Sequence, residues 1–500
     1  MVNKSIIIIG AGIAGLSTGC YGRMNGYNTR IFEMHNIPGG LCTSWQRKWY
    51  TIDGCLHWLV GSGPESSFYK IWKELGAVQK PQIIDHEEFM RFESADGKTF
   101  ILYTGIDRLE KHMLEIAPED KDIIKEFIKG IRACTRFELP VDKAPELYGF
   151  IDGLKFLIKM LPFMLSVRKW NLISTQDFAA RFKNPLLCEA FPVIWLPEFP
   201  ISFLLMTLAW MHKKVAGYPV GSSLEFSRNI EQRYRDLGGE IHYNSRVTKI
   251  LVENDRAVGV KLEDGSVHKA DYIISAADGY TTIFNMLDGR YADETIKGYY
   301  DNLPIFPPLI HVALGVNRSF EEIPHTVTGI NFPLDQPITI AGKEWRRIGV
   351  HFYNFDPTLA PAGKSVVKVM FFSDYAYWKS LRDDLNRYNA EKEHIADQVV
   401  AVLDRRFPGL ASKVEMHDVA TPVTFHRYTG NWQGTFEGWM ITPKTHSLRM
   451  SKTLPGLDNF YMAGQWVEPG GGLPPAAFSG RNVVQILCKR DKKPFLTTIP

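Results

Sequence analysis

Three glycine-rich turns carry the residues most able to do chemistry, and the first lies near the start of the chain. It reads Ser5-Ile6-Ile7-Ile8-Ile9-Gly10-Ala11-Gly12-Ile13-Ala14-Gly15-Leu16, so Gly10, Gly12 and Gly15 form G-x-G-x-x-G. In that spacing the first glycine permits a tight turn, the second lets backbone approach a pyrophosphate, and the third lets a helix lie close against the preceding strand. The helix predicted from about Ala14 to Asn25 would offer free N–H groups and its positive dipole end to phosphates. Glu33 ends the next strand, about 20 residues after the glycines, where a carboxylate can accept hydrogen bonds from a ribose diol. The chemistry implied is dinucleotide binding.

The second turn, Pro38-Gly39-Gly40-Leu41-Cys42-Thr43-Ser44-Trp45, follows directly. Gly39 and Gly40 expose backbone N–H groups with Leu41 beside them, and Thr43 and Ser44 add hydroxyls, so a second anion cradle is expected. The third lies near the C-terminus. A strand around Phe460 to Trp466 ends at Gly464, the loop Glu468-Pro469-Gly470-Gly471-Gly472-Leu473-Pro474 follows, and a helix is predicted from Ala476 to Leu487. Strand, glycine-rich loop and helix again bring backbone amides to an anion or a polar ring edge.

The elements that must position these turns follow from pattern. Four consecutive isoleucines suit a strand buried on both faces. Phe68 to Gly76 and Asp107 to Arg136 read as helical, the latter with caps at Asp107 and Pro118-Glu119. Met90 to Tyr103 reads as a hairpin turning at Ala95-Asp96-Gly97. From Phe150 to His212 the sequence turns apolar: Phe150, Ile151, Leu154, Leu157, Ile158, Leu161 and Leu165 repeat at helical spacing, with Lys155, Lys159, Arg168 and Lys169 elsewhere. Prolines and Glu198 interrupt the second apolar run, so a membrane-crossing helix is not expected. A helix from about Ser223, a strand meander and the returning strand Asp271 to Ser275 then suggest that the dinucleotide fold resumes after an insertion.

Composition narrows the class. At 500 residues, with 45% hydrophobic and 23% charged, the chain has room for two or three domains of globular type. A net charge of +3, with no basic tail and no basic run interleaved with aromatics, argues against a nucleic-acid partner. The six cysteines form no C-x-x-C and no zinc spacing, so reduced thiols in the cytoplasm and no metal are expected. The absence of a second strand-G-x-G-x-x-G argues against a separate nicotinamide domain.

With the fingerprint, Glu33, P-G-G-x-x-x-S/T-W, the Tyr50-Thr51-Ile52-Asp53-Gly54 strand and the C-terminal Gly464, Pro469 to Gly472, Ser479 and Gly480, the chain resembles the phytoene desaturase, carotene isomerase and retinol saturase-like flavoproteins. The resemblance implies FAD as cofactor. It also implies an α/β fold with a GR2-like Rossmann-type FAD-binding domain, an α+β substrate domain and an inserted helical cap. In that reading residues 1–75, 216–290 and 416–500 build the FAD-binding part, 76–215 the substrate domain and cap, and 291–415 a mixed sheet. The family's second cofactor segment maps onto Val247, whose main chain would meet the adenine. The expected activity is desaturation, saturation or cis-trans isomerisation of a long polyene or isoprenoid. The apolar stretch is expected to be either a helical cap over the substrate pocket or a surface that dips into a membrane, so the protein is expected in the cytoplasm or peripheral on the inner membrane face, with a quinone or another electron donor or acceptor as a candidate partner. Glu468, His426, Arg427 and His57 lie near cofactor motifs and could act as acid, base or charge stabiliser, although a structural hydrogen bond is the simpler role for each. An amine oxidase-like enzyme is the rival on the same fold, with Trp432, Trp439 and Trp466 as candidates for an aromatic cage; a flavin-bound electron carrier is a second.

Overall fold

A computed structural model describes residues 4–78, 82–138 and 140–500. Two sheets organise them. The first is parallel and has five strands in the order Phe460–Met462, Tyr272–Ser275, Ser5–Ile9, Asn28–Phe32 and Glu240–His242. Its strands come from three separated stretches of chain, so the dinucleotide fold closes only when the ends of the sequence meet. The isoleucine strand lies at its centre with Ile6, Ile7 and Ile8 fully buried, which is why no alternation was needed there.

The helix Ile13–Met24 follows the central strand, and Gly15 explains how it sits so close. A Cβ at that position would lie 1.9 Å from the Gly10 carbonyl oxygen, a distance no side chain can occupy. The C-terminal helix Leu473–Arg490 crosses the same helix closely, with a Cβ on Gly480 falling 2.6 Å from the Ala14 carbonyl oxygen.

The second sheet has seven strands in the order Val414–Ala420, Leu309–Val316, Ser365–Phe372, Lys343–Phe352, Ile330–Ile340, Glu88–Glu93 and Thr99–Tyr103. The strand Val414–Ala420 pairs with Leu309–Val316 and runs through the boundary expected at residue 415, because the sheet needs it as an edge. One face buries Val312, Leu314, Val350, Val367, Val369 and Phe371 beneath the helix Leu385–Arg406. The other face turns toward the first sheet.

The insertion is helical. Asp107 to Arg136 forms two helices, Ile106–Ile116 and Lys121–Cys134, joined by a short turn at Pro118–Asp120; the first is capped by Gly105, and Asp107 lies inside it. The helices Pro185–Ile194 and Ile201–His212 pack on these and on the Glu88–Glu93 hairpin. The helix Phe150–Asn171 behaves differently, burying Met160, Val167 and Trp170 while its apolar stripe faces outward. No helix among the described residues is long and apolar enough to cross a membrane.

Candidate active site

All three glycine turns open on one cavity of about 1530 Å³ between the two sheets and the helical insertion. That volume exceeds the roughly 300–1,000 Å³ of a pocket for one drug-sized ligand, leaving room for a dinucleotide and a second molecule. Gly10, Gly12, Ala14, Glu33, Gly39, Gly40, Leu41, Val247, Gly464, Gly471, Gly472 and Leu473 line it. Gly15 does not; its role is the helix–strand contact. Thr43 and Ser44 do not line it either. Ser44 is drawn into the strand Ser44–Arg47 opposite Asp53, and Thr43 gives its carbonyl to the Gly54 N–H, so neither hydroxyl serves the cradle.

The cradle is a backbone construction. The helix Ile13–Met24 begins at Gly12 with no side-chain cap and no acid in its first turn, leaving its amides and dipole unanswered. Space beside Gly12 is open, since a Cβ there would meet nothing nearer than the Gly39 oxygen at 3.9 Å. Gly39 donates to the Ala11 carbonyl at 2.9 Å, tying the second turn to the first. The helix Leu473–Arg490 also starts uncapped, at Gly472, and Gly464 is held in place by donating to Ser479 Oγ at 2.7 Å. Glu33 is buried, and its oxygens accept from the Ala11 and His35 amides, both at 2.7 Å. Burial pushes its carboxyl up while those hydrogen bonds pull it down. Arg246, beside Val247, lines the same end and adds a positive charge that sequence reading missed.

The four candidate catalytic groups part company. Glu468 is off the cavity and pairs at 2.6 Å with the buried Lys452, which also holds Glu146 at 2.6 Å; its role is structural. His426 and Arg427 line the cavity on the helix Pro422–Thr429. That helix lies toward the Glu33 end, where Tyr428 meets His35 and Gly430 approaches Met34. His426 Nδ1 bonds the Asn431 carbonyl at 3.0 Å, and exposed Arg427 lies over the Tyr428 ring. His57 alone stands at the other end, its ring centre 5.0 Å from that of His351 on the seven-stranded sheet.

Around His57 the structure assembles groups far apart in sequence. His351 and Lys368 face each other across strands Lys343–Phe352 and Ser365–Phe372, and His311 sits opposite Met370, two residues on from Lys368. Alternation therefore puts all three side chains on the inner face. His351 lines the cavity with His57 and His311. Buried Lys368 donates to the Asp53 carbonyl at 3.3 Å, and burial lowers it to about 8 against the pull of the Asp53 charge. Burial, reinforced by that ammonium, drives His57 and His311 far below their ordinary range and His351 to about 3, so all three are neutral. The one sequence signal was a lysine inside the apolar strand Val366-Val367-Lys368-Val369.

Glu437 is the other group missed. A Cβ on Gly471 would fall 1.9 Å from its carboxylate, so glycine there makes room for this acid. It lines the cavity, and burial raises it to about 8, leaving it protonated at neutral pH. Cys42 and Cys55 also line the cavity.

The profile described as flavin containing amine oxidoreductase matches residues 13–488. The chain belongs to that family. Its cofactor is FAD, and the open cradle of backbone amides fits the pyrophosphate of that group. Among curated proteins it is 25% identical to the chloroplastic prolycopene isomerase of Daucus carota over 499 residues, covering 95% of this chain and 78% of the relative. It is 23% identical to the 4,4'-diaponeurosporene oxygenase of Staphylococcus aureus strain MW2 over 524 residues, covering 98% and 99%. Similar solved structures include an oxidoreductase from Methanosarcina mazei, with TM-score 0.59, 17% identity and 96% and 100% coverage. Putrescine oxidase bound to putrescine gives TM-score 0.60 at 12% identity, with 98% and 100% coverage. These two share the fold.

Proposed function

We propose that the protein acts on carbon–carbon double bonds of a long apolar polyene or isoprenoid, as a desaturase, saturase or cis-trans isomerase. The observation that carries this is the continuity of the cavity: glycine cradles at one end, and at the other a wall of Phe89, Trp195, Phe199, Phe203, Trp210 and Phe306. Opposite them, Trp345, Arg347, Gly349 and His351 line the cavity at every second position of one strand. When bound, FAD supplies two-electron chemistry, exchanged with substrate, a quinone or another donor or acceptor. The chain holds the substrate by apolar burial, worth about 25 cal/mol per Å², and excludes water. Glu437, protonated beside Gly471, is the residue best placed to give or take a proton.

The amine oxidase alternative needs an aromatic cage open to a cation. Of the three tryptophan candidates Trp466 lines the cavity, whereas Trp432 and Trp439 do not and pack behind it with Tyr280 and Tyr300, the Trp439 and Trp466 centroids 5.0 Å apart at 88°, so no cage of several rings faces the cavity there. This supports the apolar reading. Anaerobic mixing of the flavin-loaded protein with polyenes and with polyamines tests it: polyenes are expected to perturb the flavin spectrum and amines to leave it unchanged. Rapid reduction by an amine, with no response to polyenes, overturns it.

The same reading places the protein on the cytoplasmic face of a membrane through the helix Phe150–Asn171. Phe150, Ile151, Ile158 and Leu165 are each more than 60% exposed, an apolar surface unusual on a soluble monomer. Lys155, Lys159 and Arg168 are exposed beside it, while Lys169 is engaged by Glu126 at 2.6 Å. Each free cation near anionic lipid contributes about 1 kcal/mol. Replacing all three with Glu is expected to abolish sedimentation with anionic liposomes, and wild-type binding should weaken as salt rises. Unchanged sedimentation removes the membrane proposal and leaves the substrate reading intact.

A further inference from the structure

The substrate end of the cavity is not uniformly apolar. Neither ring nitrogen of His311, a residue 2% exposed, has a hydrogen-bond partner, and Nε2 of His57 has none. His351, whose ring centre lies 5.0 Å from that of His57, lines the cavity beside them. Buried polar nitrogens are nearly always paired, so the unpaired nitrogens of His57 and His311, with His351 beside them on one cavity wall, call for a ligand that completes them.

The charges nearby decide what that ligand is. The Asp53 carboxylate accepts from the Cys55 and Leu56 amides and from the Ser223 amide and hydroxyl, at 2.5–3.1 Å, an arrangement that suits its ionised form. It balances Lys368, which is spent on the Asp53 carbonyl. Arg347, the nearest other cation on the same strand as His351, is committed to Asn331 Oδ1 at 2.5 Å and the Glu93 carbonyl at 2.7 Å. Among the described residues, Lys368 and Arg347 are thus already engaged, and the Asp53 carboxylate is filled by its four donors. A neutral imidazole presents one N–H donor and one lone pair, which match a hydroxyl or a carbonyl.

We propose that His57, His311 and His351 form a subsite for a neutral oxygen function, hydroxyl or carbonyl, so that the substrate is an oxygenated isoprenoid and not a plain hydrocarbon. This rests on the apolar-substrate reading above and sharpens it. The histidines act as specificity groups: a hydrocarbon leaves their nitrogens unpaired, and an alcohol or aldehyde satisfies them.

The test uses the flavin-loaded full chain and three linear polyenes of equal length, an aldehyde, its alcohol and the hydrocarbon, titrated by the shift of the polyene absorption band. The two oxygenated ligands are expected to bind about tenfold more tightly than the hydrocarbon. His311→Phe and His351→Phe should erase that preference while flavin content and hydrocarbon affinity hold, and His311→Asn and His351→Asn should restore part of it. Equal affinity for all three ligands in the wild type overturns the subsite, and so does a preference that survives both Phe variants. Loss of flavin from the Phe variants with selectivity intact in the Asn variants at wild-type strength would assign the imidazoles to the cofactor instead. Polyenes failing to bind in any form, alongside tight amine binding, would remove the parent reading, whereas hydrocarbon binding without discrimination removes this one alone.

Discussion

At the Glu33 end of the cavity the polar groups belong to the backbone, whereas at the His311 end they belong to side chains brought together from three strands and a loop. The first end is built from short contiguous runs: Gly10 to Ala14, Gly39 to Leu41 and Gly470 to Leu473 each supply their own turn and amides. The second needs the register of a seven-stranded sheet to set His351 against Lys368 and His311 against Met370. A backbone site tolerates side-chain change but no added bulk at its glycines. A side-chain site tolerates bulk at its margins but fails when one donor is lost. The first kind recognises a shared cofactor, and the second selects among substrates.

The comparison is broken most directly at Gly15. Gly15→Ala forces a methyl against the Gly10 oxygen at 1.9 Å, so the helix Ile13–Met24 must move off the strand, costing about 1–3 kcal/mol or more of stability. The protein is expected to lose its flavin on gel filtration, read from the ratio of flavin to protein absorbance. Full retention would mean that the helix N-terminus contributes little to the cradle.

A smaller effect is expected at Glu33, the buried carboxylate of the backbone end. Glu33→Ala removes a charge-assisted acceptor, about 1.5–3 kcal/mol, and frees the Ala11 and His35 amides. FAD affinity, measured by fluorescence titration, should fall about tenfold to a hundredfold. An unchanged affinity would leave the turn glycines as the whole of that end.

A third effect concerns pH, at Glu437 on the cavity wall. Burial raises Glu437 to about 8, above its ordinary carboxylate range, so the folded protein holds this proton more tightly than the unfolded chain. Its contribution to stability is fully present below the unfolded pKa near 4.5 and is lost as pH rises toward 8. The thermal midpoint of the wild type should therefore fall between pH 5 and pH 8, and Glu437→Gln, which cannot ionise, should flatten that fall. Parallel profiles for the two proteins would show that the carboxyl is solvated in the cavity.

The sequence by itself determined the cofactor end. G-x-G-x-x-G, Glu33, the paired glycines and the C-terminal Gly-Gly-Gly loop are local signals, since turns, close approaches and uncapped helix starts are dictated by neighbouring residues. It misjudged Thr43 and Ser44, because whether a hydroxyl faces the cavity depends on the hairpin pairing that sets Ser44 against Asp53. It also gave the helix Phe150–Asn171 the right periodicity without saying which way the stripe faces, since a period fixes a face relative to its own axis and nothing else. The histidine patch and Glu437 were decided by tertiary structure alone: His57, His311, His351 and Lys368 are separated by up to hundreds of residues, and only strand register and burial bring three neutral imidazoles onto one cavity wall beside a lysine engaged by Asp53.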